Sequence, residues 1–113
     1  MGLNRNFDLY FEKKNGNSLS KETRSAVLNK LNEITEYDWD SFWEDSFNIC
    51  GASWYDWQDN MRKVAKEFPD VVFKLCCNGD YLDDIWIAGF CGDREDFQYA
   101  RIPDLDMKFL RGD

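Results

Sequence analysis

At 113 residues the chain is long enough to close one core without metals or disulfides, and 43% hydrophobic and 17% aromatic content rules out a disordered acidic tail. Twenty-two acidic against 14 basic residues leave a formal net charge of −8, which repels nucleic acid and anionic membrane and attracts basic proteins. With no histidine, Ser-His-Asp and Cys-His catalysis, histidine metal sites and the commonest neutral-pH general base are all excluded.

In chain order, "MGLNRNFDLYFEKKNG" has no basic-then-apolar leader, and Asn6 stands where a myristoylation signal needs Ser or Thr. Phe7, Leu9 and Phe11 alternate with Asp8, Tyr10 and Glu12, which predicts a half-buried strand ended by "KKNGN". "SLSKETRSAVLNKLNEIT" follows, with serines suited to N-capping and Val27, Leu28, Leu31 and Ile34 at helical spacing.

The next segment, "EYDWDSFWEDSFNICGASWYDWQD", holds four tryptophans and seven carboxylates and no base. It reads two ways. As a helix it offers Trp39, Phe42, Trp43 and Phe47 on one side, with Ser41 and Glu44 spaced like a capping box. As strands it offers "YDWDSFW", a turn at "EDS" and "FNICGASW", and this is the reading we adopt because it completes a familiar topology.

"DWQDNMRKVAKEF" is a second helix, with Trp57, Met61, Val64, Ala65 and Phe68 on one continuous face. Asp56 and Asp59 lie at its positive end and Lys63 and Lys66 towards its negative end; Pro69 stops it. "VVFKLCC", "DIWIAGFC" and "FQYARI" are three further strands, separated by "NGDYLD" and "GDRED" as hairpin connections. The apolar run Ile85–Phe90 is too short to cross a bilayer.

The expected fold is therefore α+β: a ferredoxin-like β-α-β-β-α-β unit with additional antiparallel C-terminal strands and both helices on one face of the sheet. It is expected to form a single domain over residues 1–113, since no repeat, linker or low-complexity segment divides it. Without an export signal the expected location is cytoplasmic, the host cytoplasm for a phage-encoded chain, with Cys50, Cys76, Cys77 and Cys91 as reduced thiols.

"WYDWQDNMRKVAKEFPDVVFKL" followed by "DIW", about residues 54–86, resembles a pattern in small uncharacterised phage and plasmid proteins with a ferredoxin-like fold. In those, a Trp-Tyr pair opens a helix, Phe-Pro-Asp-Val closes it and a strand follows. The resemblance implies a fold and a mobile-element origin; it implies no activity and no catalytic residue.

Searching for chemistry returns absences. Cys76 and Cys77 are adjacent, no C-x₂-C knuckle exists, and neighbours on a strand face opposite ways, so a Cys₄ zinc site is not expected. "DYLDD" and "GDRED" do not match a calcium loop, and no Gly-rich phosphate cradle occurs. The expectation is no enzyme, no metal and no cofactor.

What remains is carboxylates beside indole rings. Aromatic anchors supply contact energy, and a one-sign field speeds encounter with a basic partner. The candidate partner-binding residues are Asp38, Asp40, Glu44, Asp45, Asp56 and Asp59 as charge mimics, with Trp43 and Trp54 as anchors. A second base-free segment adds Asp80, Asp83 and Asp84 if folding brings it alongside.

The expected partner is a basic nucleic-acid-binding protein, with no direct nucleic acid and no membrane. The expected function is a phage or mobile-element inhibitor that fills the basic groove of a host defence nuclease complex. An anti-CRISPR protein acting on a CRISPR effector is its most specific version. The alternatives are an immunity protein against a basic nuclease toxin, and a housekeeping domain whose charge only confers solubility. The chain is expected as a monomer or small homo-oligomer, an exposed edge strand being able to pair two copies.

Overall fold

The computed structural model describes residues 4–112, the side chain of Phe42 excepted, and shows a mixed α+β chain. Its elements are β1 (Arg5–Lys13), α1 (Lys21–Thr35), β2 (Asp40–Trp43), β3 (Ser46–Ala52), α2 (Trp57–Glu67), β4 (Val71–Asn78), β5 (Ile85–Cys91), β6 (Arg94–Tyr99) and α3 (Met107–Arg111). The strands form one antiparallel sheet in the order β2-β3-β1-β4-β5-β6.

Period-two alternation sorts each strand between two faces. Leu9 stands opposite Phe47 on one side and Leu75 on the other; Phe7 stands opposite Ile49 and Cys77, and Phe73 opposite Phe11 and Phe90. These residues are all buried, and they make an apolar floor. Val27 and Leu31 of α1 and Met61, Val64 and Ala65 of α2 complete the core above it. Each such side chain contributes about 1.5–3 kcal/mol by leaving water, so the floor dominates the stability.

Helix boundaries follow local chemistry. Ser20 caps α1, its Oγ accepting from the Thr23 N–H at 3.2 Å. Glu36 ends that helix at φ +60, its N–H bonded to the Asn32 carbonyl. On α2 the expected face is the one buried, with Trp57 and Phe68 at its rim.

The tryptophan-rich segment is a β-hairpin, and the helical alternative is not adopted. Pairing of Phe47 and Ile49 with β1 outweighs the local helical spacing. Its strands are shorter than expected, with a register shift between Asp40 and Trp43.

The last strand also differs from expectation: it begins at Arg94, not Phe97, and ends at Tyr99. Gly92 at φ +60 permits a two-residue turn, so pairing starts at once with Cys91 opposite Arg94. Residues 100–112 then leave the body as an arm ending in α3, which sequence periodicity did not announce. With that arm the radius of gyration is 16.7 Å, against about 13 Å for a compact domain of this length.

All four cysteines are free, with Cys77 on the helix-covered face and Cys76 on the other. Among the described residues no helix is long and apolar enough to cross a membrane.

Candidate partner-binding surface

Strand direction places the expected carboxylates in two groups. β1, β2 and β5 begin, and β3, β4 and β6 finish, at one end of the sheet. Asp38, Asp56, Asp80, Asp83 and Asp84 lie in loops at that end, and Asp59 sits on the first turn of α2. Asp40 starts the edge strand β2, and Glu44 and Asp45 make the turn at its far end.

The second group converges with residues not anticipated. On the face of the sheet opposite the helices, Asp8, Tyr10, Asp40, Trp43, Asp45, Ser46 and Asn48 line a cleft of about 270 Å³. Register explains it: Asp8 pairs with Asn48, which pairs with Asp40, and Tyr10 pairs with Ser46, which pairs with Trp43. Trp43 is 70% exposed. Among the described residues none of the three aspartates is ion-paired. The negative charge of Asp8, then burial, raises the Tyr10 phenol above its ordinary pKa, and Cys76 and Asp45 add to it. Lys74 lies 4.9 Å from the Tyr10 ring and marks the cleft's boundary on β4.

Arg24 of α1 holds this geometry. It donates from Nε to the Glu44 carbonyl at 3.0 Å, from Nη2 to the Trp43 carbonyl at 2.7 Å and also to Ser41 Oγ. Its guanidinium carbon lies 5.1 Å over the Phe47 ring. A base from outside the segment therefore reaches it, yet binds backbone oxygens and leaves the Glu44 and Asp45 carboxylates open. The signal for Asp8 and Tyr10 was present in the alternation of the first strand. Nothing in the spacing pointed to Arg24.

Two of the expected site residues are corrected. Trp54 is not a surface anchor: it is 3% exposed, edge-on to Phe7 at 5.1 Å and to Trp39 at 5.4 Å, with Nε1 donating to Asn60 Oδ1 at 3.3 Å. Of the tryptophans in the segment, Trp39 and Trp54 are core, Trp57 is at its rim and Trp43 faces solvent.

Asp84 is no free charge either. Its Oδ2 accepts from Arg5 Nε at 2.7 Å, with both side chains mostly buried, and its carbonyl accepts from Gly79 N–H and the Cys77 thiol. A Cβ on Gly79 would run into that carboxylate, so the glycine permits the latch. Asp59 keeps an exposed contact with Arg62 at 3.6 Å. Asp38, Asp56, Asp80 and Asp83 are exposed and unpaired among the described residues.

Lys13 and Lys14 occupy other ground. A wider depression of about 520 Å³ opens between the start of α1 and the α2–β4 turn, lined by Lys13, Lys14 and Phe68 among others. Glu67 and Asp70 line it too, so its charge is mixed. Among the described residues no cluster of three or more Cys, Asp or Glu could hold a metal ion. No protein-family model matches the chain, and no curated protein or solved structure matches it.

Proposed function

We propose that the chain is a small inhibitor of mobile-element type that binds a basic nucleic-acid-handling protein through the helix-free face beside β2. In its most specific form it acts on a defence nuclease complex as an anti-CRISPR protein does. The observation that carries the reading is the cleft: three aspartates without ion pairs among the described residues, around a tryptophan that is 70% exposed. Carboxylates held apart on a rigid sheet meet the arginines of a phosphate-binding groove through charge-assisted, bidentate hydrogen bonds. The indole adds an apolar and cation–π contact at the centre. Asp38 and Asp56 at the adjoining end widen the negative field that steers encounter.

The order β4-β1-β3-β2 with crossovers α1 and α2 supports a ferredoxin-like unit, with β5 and β6 added at one edge.

The test is capture of partners from host lysate by the immobilised chain, beside the triple reversal of Asp40, Glu44 and Asp45 to lysine. Expected is a nucleic-acid-binding protein that duplex DNA competes away, that high salt releases and that the triple variant does not hold. Equal capture by the triple variant, at an unchanged thermal midpoint, removes this face from the mechanism. A single toxin nuclease bound one-to-one instead identifies an immunity protein.

A further inference from the structure

β6 is unlike the other strands. All six of its residues are exposed, its outer edge pairs with nothing among the described residues, and α2 meets it only at its inner side, where Arg62 Nη2 lies 2.6 Å from Glu95 Oε1 and Trp57 lies against Phe97. Yet it carries Phe97 and Tyr99 on the helix side, where Phe97 stacks on Trp57 at 5.9 Å and meets Tyr99 at 4.8 Å. Beside that shelf a small cleft is lined by Trp57, Phe90 and Phe97. The arm that follows exposes Ile102, Leu105, Met107, Phe109 and Leu110, Phe109 to 77%. An uncovered aromatic shelf and an uncovered apolar arm therefore leave the same strand.

We propose that two copies of this chain pair antiparallel along β6 and exchange arms, each arm covering the other copy's shelf. Ala100 N–H bonds the Ile85 carbonyl, so in the alternating ladder the N–H and C=O groups of Glu95, Phe97 and Tyr99 point outward. Side chains that meet must share a face, which limits the two-fold registers. Centring on Asp96 sets two carboxylates opposite each other and is disfavoured. Centring on Phe97 sets Glu95 opposite Tyr99 and Asp96 opposite Gln98, with no like charges in contact.

In the single chain, Asp96 Oδ1 holds the Phe97 N–H at 2.9 Å. In the pair that N–H passes to the Phe97 carbonyl of the second copy, and the released carboxylate accepts from the facing Gln98 amide.

The pairing also directs the arm. Running on from Tyr99, which faces Glu95 of the second copy, it comes alongside the cleft that Glu95 shares there with Trp57 and Phe90. The arm also adds no like charge to an acidic body: residues 100–113 hold Arg101, Lys108 and Arg111 against Asp104, Asp106 and Asp113, net 0, while the whole chain is −8. Stable interfaces bury roughly 1,200–2,000 Å² in total, and one six-residue strand pair falls short of that. Five apolar side chains from each arm supply the remainder.

The experiment is light scattering after size exclusion on the full chain, from micromolar to millimolar concentration, with amide hydrogen exchange at both extremes. A concentration-dependent species of twice 13.4 kDa is expected, with the amides of Glu95, Phe97 and Tyr99 protected only in that species. Ending the chain at Ala100 should raise the dimer dissociation constant about 30-fold or more, and Phe97→Arg should do at least as much. Because residues 101–112 are all exposed, removing the arm tests the idea without endangering the fold. A monomer at every concentration overturns the proposal, as does an open-ended oligomer. So does a dimer in which those three amides exchange freely or which neither change weakens.

Discussion

On the helix-covered face of the sheet stand Phe7, Leu9, Phe47, Phe73 and Trp86; one residue along the same strands, on the other face, stand Asp8, Tyr10, Asn48, Lys74 and Ile87. The first set is shielded by two helices, with Phe7 and Trp86 edge-on at 6.1 Å. The second has no covering helix, and its Asp8, with Asp40 and Asp45 nearby, has no ion pair among the described residues. The difference teaches that charge count and ring count in a segment say little until each residue is assigned a face. Trp54 and Trp43, eleven positions apart in one acidic run, have opposite roles for that reason.

The strongest way to break this comparison is to delete each ring. Trp54→Ala removes a buried indole from between Phe7 and Trp39 and strands Asn60 Oδ1. It should cost about 3–5 kcal/mol in urea unfolding. Trp43→Ala should stay within about 0.5 kcal/mol, since its ring is mostly in water already. Equal costs would mean that both rings are structural, and the binding face would lose its anchor.

Cys76 and Cys77 sharpen the same division at a single pair of neighbours. Burial, more than the nearby Asp84 charge, pushes the Cys77 thiol up to about 11. Its unfolded counterpart ionises near ~8.5. Between those values the unfolded chain loses a proton that the folded chain keeps, so the contribution is whole below the lower value and lost as pH rises to the upper. The decline should reach roughly 2–3 kcal/mol, and Cys77→Ala should flatten part of it. Stability profiles of the two proteins from pH 8 to pH 11 decide; parallel slopes would show that Cys77 is not shielded. Native-state alkylation should meanwhile find exposed Cys50 before Cys77.

Much of the fold was legible in the residues. Phe7, Leu9 and Phe11 announced β1, Ser20 announced the start of α1, and the run from Trp57 to Phe68 announced α2, because each signal is local and periodic. The 40–52 hairpin was decided against its own helical spacing by partners on β1, and local sequence carries no record of them. The site was half legible. Asp40, Trp43 and Asp45 lie in one obvious run, while Asp8 joins them only through the β1–β3 and β2–β3 registers. Asp84 looked like any other loop acid until Arg5, 79 positions away, met it. Long-range pairing separates a mimic from a latch, and composition cannot supply it.

Arg24 sharpens the comparison where electrostatics and geometry predict opposite results. Removing it makes an already acidic face more negative, so a field acting alone would strengthen binding to a basic partner. But Arg24 fixes the Trp43 and Glu44 carbonyls, and with them the turn that presents Asp45 and the ring of Trp43. Water can replace the guanidinium at those exposed carbonyls, so Arg24→Ala should lower stability by only about 1 kcal/mol. Partner affinity should nevertheless fall about tenfold, since the carboxylates are no longer held in place. Arg24→Lys keeps the charge but loses the planar fork, and should recover little of the loss. Titration calorimetry of the three proteins against the captured partner separates the two causes. Tighter binding by Arg24→Ala would show that the net field alone matters and that the shape of the cleft does not.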